Sequence, residues 1–302
     1  MDKPLALFSG YRYIWEQLDN NLDSLHVYIQ DYPYVYMDNY GNIVAANTDK
    51  HDTCAVFCCH LDPVHKLPPE LEVVKEDILL SLGGGGVGGD DKCGVVACLE
   101  MLRSRIPCKC IFFRDEEKGC LGSRDFDAKS LKDNMFCIEI DRRNSDDLIF
   151  SASGRKLCSK EFQDRVKAHF PHGKPESGLL TDVCVLEDAD INMMNLSSGY
   201  YRPHTDKEYV VLSELHKNIE CLKNLTKDLM ANPLSTNKYK RRNSYGYYGN
   251  YQKTGSAGYG QSGAIQQSLY DRDAEDYNVL QYGTRFGSTP EEKEYKKDTR
   301  GS

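Results

Sequence analysis

The stretch Thr53-Cys54-Ala55-Val56-Phe57-Cys58-Cys59-His60-Leu61-Asp62 decides how this chain reads. Its first seven residues form a short apolar run, the pattern of a strand covered on both faces, and the run ends in an imidazole and a carboxylate. The same pattern recurs outward from it. Residues 41–46, 77–82, 108–113, 135–140 and 191–196 read as further strands. Val95, Leu99 and Leu102 have helical spacing within 95–105, and Leu215, Ile219, Leu222 and Leu225 recur at three or four within a closing helix over 212–230. This α/β order predicts a mostly parallel, mixed central sheet flanked by helices, with the working residues beyond the carboxyl ends of its strands.

Composition narrows the class. The chain has 302 residues, 38 basic against 46 acidic, with 40% hydrophobic residues, enough for an ordinary soluble core. No stretch approaches the ~20 apolar residues that span a bilayer, and the opening MDKPLALFSG lacks the basic flank and apolar run of a signal peptide, so a cytoplasmic location and no membrane contact are expected. The twelve cysteines are spread over the chain, many in apolar runs, and read as small core residues in a reducing compartment. The absence of any CxxC pair argues against a zinc ribbon.

Composition breaks near residue 233. From there to Ser302 lie ten of the twenty tyrosines and no cysteine, and few aliphatic residues, so residues 1–232 are expected to fold and 233–302 to form a disordered Tyr/Gly/Ser-rich tail. The tail holds 11 basic and 8 acidic residues, which leaves 27 and 38 for the folded part. So acidic a core is not expected to bind nucleic acid. Lys238, Lys240, Arg241 and Arg242 beside spaced tyrosines have the composition of a single-strand binder, but a tethering or solubilising segment is the plainer reading.

Nearly every predicted strand of the core finishes in a side chain that binds metal. The first runs into His60-Leu61-Asp62, the segment after the glycine run presents Asp90-Asp91-Lys92-Cys93-Gly94, and the third ends in Asp115-Glu116-Glu117. Asp141 closes another, and the last leads through Ser197-Ser198-Gly199-Tyr200-Tyr201-Arg202-Pro203 to His204. Any one of these is more often a turn former or a solvated residue. Together they suit two adjacent divalent cations, which take nitrogen and oxygen at ~2.0–2.2 Å and, ~3.5–4 Å apart, share a carboxylate.

These motifs, in this order over residues 60–208, resemble those of the co-catalytic zinc exopeptidases, which include leucyl-type aminopeptidases, peptidase T, glutamyl aminopeptidases and amidohydrolase-like carboxypeptidases. The matching elements are His60-x-Asp62, Gly89-Asp90-Asp91-Lys92-x-Gly94, Asp115-Glu116-Glu117-x-Gly119, Asp141, and His204 followed by Glu208. By position the resemblance implies that Asp90 bridges two metals, His60 and Asp141 complete one site, and Glu117 and His204 complete the other. It implies Glu116 as general base and Asp62 as the carboxylate that orients His60, with zinc as the metal and manganese or cobalt as substitutes. It also implies a cis peptide bond at Asp90–Asp91. Only 62 residues separate Asp141 from His204, too few for a separate lid domain, so the chain is closest to the single-domain members.

Other readings compete. Gly84-x-Gly86-x-x-Gly89 follows a predicted strand as a dinucleotide fingerprint would, but six glycines in seven positions satisfy many spacings, and Asp90 and Asp91 stand where pyrophosphate would sit. His65, His169 and His172 are taken as solvated or structural, Trp15 as core, and Thr181-Asp182 as a segment near the cleft. Tyr200 and Tyr201 have hydroxyls suited to stabilising a tetrahedral intermediate. The expectation is a metal-dependent hydrolase acting on a terminal amide of a peptide or N-acyl amino acid, foremost an aminopeptidase. An amidohydrolase or carboxypeptidase with the same metals, and a non-catalytic binding module, are the alternatives.

Overall fold

A computed structural model of the chain describes residues 22–49, 52–64, 71–74, 77–81 and 86–241. Trp15, His65, the first part of the glycine run and the sequence after Arg241 lie outside the described residues. The first part holds helix α1 (Leu22–Ile29) and strands β1 (Tyr34–Met37), β2 (Ile43–Ala46), β3 (Ala55–His60), β4 (Leu71–Val74) and β5 (Ile78–Ser81). Helix α2 (Gly89–Arg103), β6 (Cys108–Phe113), α3 (Leu121–Asp125), β7 (Phe136–Arg142), β8 (Asp147–Ala152) and β9 (Arg155–Lys156) follow. Then come α4 (Lys160–His169), β10 (Lys174–Gly178), α5 (Asp182–Val185), β11 (Met193–Ser197), β12 (Tyr200–Tyr201), β13 (Tyr209–Val211) and α6 (Leu212–Ala231).

Among the described residues the main sheet runs β1-β2-β6-β3-β7-β11-β8-β10, with β9 hydrogen-bonded to β8. Its centre is parallel: β6, β3, β7 and β11 run side by side in one direction, while β1, β2 and β8 are antiparallel to a neighbour. The predicted mixed, mostly parallel sheet with flanking helices is therefore present. Four shorter strands, β12-β13-β5-β4, form a second, antiparallel sheet.

The reason the central strands read as unbroken apolar runs is visible in their alternation. Ala55, Phe57 and Cys59 of β3 pack into one cluster with α1, α2, α4 and α6, while Val56 and Cys58 pack into a second cluster on the opposite face. β6 does the same, with Cys108, Cys110 and Phe112 on one side and Ile111 and Phe113 on the other. Both faces being covered, polar residues are few, and the exceptions, Lys109 of β6 and Glu139 of β7, are buried with hydrogen-bond partners. Helix α6 buries the stripe Leu215, Ile219, Leu222, Leu225 and Leu229, each contributing about 1.5–3 kcal/mol on leaving water.

Packing continues past the composition break at 233. Leu234 is buried, Ser235 N donates to Glu161 Oε1 at 2.8 Å, Lys238 bridges to Ile191, and Tyr239 N donates to Asp190 O at 2.7 Å. Arg241 is buried and donates to the carbonyls of Val183 (2.6 Å) and Cys184 (2.9 Å) at the end of α5. Beyond Leu234, backbone pairing and polar contacts, which carry no hydrophobic signature, hold this segment, so two of the four clustered cations are already engaged with the folded unit: Arg241 here and Lys238 at Asp133.

Candidate metal centre

The parallel strands place their carboxyl ends at one edge of the sheet. Cys58 pairs with Glu139 across β3 and β7, so the next residues on that face, His60 and Asp141, stand side by side. His60 is 1% exposed, and its Nε2 lies 3.0 Å from Asp90 Oδ1 and 3.8 Å from Asp141 Oδ1. Asp90 turns its other oxygen to His204, with Oδ2 3.0 Å from His204 Nε2, and that nitrogen is 2.8 Å from Glu117 Oε1. The five predicted ligands thus meet in one place.

Local chemistry explains how each is aimed. The Asp90–Asp91 peptide is cis. Asp91 is no free carboxylate at a helix start: its oxygens accept the amides of His60 (3.2 Å) and Gly94 (3.0 Å), tying β3 to α2. A Cβ at Gly94 would stand 2.4 Å from Asp91 Oδ2 and 2.5 Å from Ile140 O, which accounts for glycine in that motif. With these carboxylates filling the helix N-terminus, the dinucleotide reading has no room for pyrophosphate.

After β6 the chain folds into a tight loop, the amides of Gly119 and Cys120 both donating to Glu116 O at 2.8 Å. Asp62 holds this loop from the other side, its carboxylate accepting the amides of Glu116 (3.0 Å) and Glu117 (3.2 Å). The same carboxylate stands beside His60, its Oδ1 3.6 Å from Nδ1, and that nitrogen donates to the Asp62 backbone carbonyl at 3.0 Å.

Several neighbours support these ligands from behind. Tyr200 donates its hydroxyl to Asp141 Oδ1 at 3.0 Å, and Tyr201 donates to Glu214 at 2.6 Å, so both hydroxyls serve other groups than a reaction intermediate. Asn195 brackets the Asp141 backbone with bonds of 3.0 and 2.7 Å. Buried Glu139 accepts the Thr181 hydroxyl and the amides of Asp182 and Val183, fixing the start of α5. His169 and His172 pair with Asp228 and Asn218 and stay outside the cluster.

The donor set fits two cations. Among the described residues, His60/Asp90/Asp141 and Asp90/Glu117/His204 each bring three ligand atoms within 4.8 Å of one another, and Asp90 belongs to both. Tetrahedral bonds of about 2.1 Å set ligand atoms about 3.4 Å apart, and the separations of 2.8, 3.0, 3.0 and 3.8 Å straddle that value. Charge makes the same demand. Burial and then Asp90 push the Asp141 carboxyl well above the usual range, and burial, with Asp141, Asp182 and Glu117 outweighing His60, does the same to Glu116. Burial would lower the His204 imidazole, but Asp90 and Glu117 carry it up to about 11. So many carboxylates around two imidazoles are relieved by positive charge.

Comparison with known proteins agrees with this geometry. The chain folds like aminopeptidase PepT from Bacillus cereus, at 14% identity and a TM-score of 0.60 over 74% of this chain and 98% of the other. It also resembles an aminopeptidase from the archaeon Desulfurococcus kamchatkensis (11% identity, TM-score 0.58, 74% and 96% covered). A third similar structure is a tripeptidase from Staphylococcus aureus (13% identity, TM-score 0.56, 66% and 89% covered). At such identities these likenesses speak to the fold alone, a zinc-exopeptidase fold, with no separate lid domain among the described residues. A comparison with curated protein sequences finds no match. Residues 42–210, more than half of the chain and a span that holds every ligand above, match the peptidase family M28. The chain belongs to that family and is a metallopeptidase.

Proposed function

We propose that this metallopeptidase is an aminopeptidase using two divalent cations, zinc in the first instance, with Glu116 as the general base. The carrying observation is that Asp90 offers one oxygen to each histidine, both at 3.0 Å, with Glu116 grouped beside His60 and Glu117. His60 and Asp141 would hold one cation, Glu117 and His204 the other, and Asp90 both. Bound cations supply an acidified water and a charge that polarises the scissile carbonyl.

The chain's own groups do the rest. Glu116 Oε1 receives the Cys120 thiol at 3.6 Å, which leaves Oε2 to accept a proton and return it to the leaving amine. A carboxyl raised by burial suits that exchange. Asp62 keeps Glu116 and Glu117 in register by holding both amides, and Tyr200 restrains Asp141. All twelve cysteines are unpaired thiols, ten of them buried, which supports action in the cytosol. No described helix is long and apolar enough to cross a membrane.

Purified protein loaded with zinc should hydrolyse aminoacyl anilides and free-amino peptides and leave N-acylated substrates intact. Cleavage of the blocked substrates alone would favour the amidohydrolase or carboxypeptidase reading, and two bound metals without turnover would favour a binding module.

A further inference from the structure

We infer that Glu208 is a positioning residue for the dinuclear centre, holding the backbone that carries the bridging Asp90. Its carboxylate is 2% exposed and brackets two amides two residues apart, accepting Gly88 N at 2.8 Å through Oε2 and Asp90 N at 3.0 Å through Oε1. The neighbouring contacts are close enough that only glycine fits between: a Cβ on Gly89 would stand 2.6 Å from Tyr200 Cβ, 3.0 Å from Val210 Cγ2 and 3.1 Å from Glu208 Oε1.

The bracket couples two parts of the centre. Glu208 lies four residues after His204, in a loop braced by Thr205 Oγ1 donating to Arg202 O at 2.8 Å. His204 in that loop touches Asp90 Oδ2, while Glu208 holds Asp90 N. One short segment therefore fixes both the main chain and one carboxylate oxygen of the residue shared by the two sites. A bridging ligand tolerates little rotation, since turning it toward one cation withdraws it from the other. Groups that orient a ligand in this way change metal affinity by about 10–100-fold when removed.

Glu208→Gln is close to isosteric but puts an NH2 group against one of the two amides, so the bracket keeps at most one bond. This inference rests on the dimetal reading above, and the test reads metal binding apart from catalysis. Cobalt(II) is titrated into full-length protein stripped of metal, following its visible absorption, in the wild type, Glu208→Gln and Tyr201→Phe. The last variant removes a hydroxyl bonded to Glu214 in the first turn of α6 and leaves the bracket alone. Glu208→Gln is expected to bind cobalt about 10–100-fold more weakly with an altered spectrum, while Tyr201→Phe binds as the wild type does. Wild-type affinity and spectrum in Glu208→Gln, or equal losses in both variants, would overturn the inference. A wild type that binds no cobalt would sink the functional reading and this one with it; normal binding without aminopeptidase activity would sink only the former. Should Glu208→Gln fail to fold, hydrogen exchange on the wild type decides: the amides of Gly88 and Asp90 are expected to be protected before metal is added, and rapid exchange there would refute the bracket.

Discussion

Replacing Asp182 with asparagine tests the electrostatics of the wall behind the site. One oxygen of Asp182 accepts the Ser123 hydroxyl at 2.5 Å, and the other is buried with no partner among the described residues. Burial pushes the carboxyl from 3.8 up to about 7. The folded protein therefore keeps a proton that the unfolded chain gives up, and the stability from this group is complete below about pH 4, declines as pH rises, and is lost above about pH 7. Roughly 3 pK units at about 1.36 kcal/mol each put the span near 4 kcal/mol. Asparagine has the same shape and no charge to bury. In urea unfolding of metal-free protein, Asp182→Asn should exceed the wild type by only about 1 kcal/mol near pH 4.5 and by up to about 4 kcal/mol near pH 8. Parallel pH profiles for the two proteins would show that this carboxylate is hydrated or paired in the fold, and the reasoning would fail.

Two further substitutions probe separate parts of the account. Glu116→Gln should retain both metals by elemental analysis and lower kcat by about 10²–10⁴-fold on an aminoacyl anilide; near-normal turnover would place the base elsewhere. Arg241→Met keeps the packing of the stem but strands the Val183 and Cys184 carbonyls, so equilibrium unfolding should show a loss of about 2–4 kcal/mol. A loss under about 0.5 kcal/mol would mean that water replaces the guanidinium.

What the sequence made legible follows from where its signal lies. β3, β6 and β7 are readable because burial on both faces leaves mainly apolar runs, interrupted only by Lys109 and Glu139, and α6 because its stripe repeats at helical spacing. β10 was not, since Lys174–Gly178 is a largely exposed edge strand that becomes one only by pairing with β8. α4 buries just Phe162 and Val166 among polar residues, too little for a clear period. The site divides the same way. His60, Asp90, Glu116, Glu117, Asp141 and His204 carry their chemistry in their identity and order along the chain. The contacts that aim them depend on approaches between distant segments: Asp62 to the amides of the Glu116 loop, Tyr200 to Asp141, Asn195 to its backbone. Nothing in residue type announces these, so the hold of Asp62 on the Glu116 loop goes unread even though its place beside His60 is legible.

The central claim is that one carboxylate is shared between two cations. Metal content measured on protein equilibrated with zinc and freed of excess tests it most directly, in the wild type and in Asp90→Ala. The account predicts two ions per wild-type chain and the loss of both in the variant. A wild type holding a single ion, or an Asp90→Ala protein that still keeps one tightly, would contradict it.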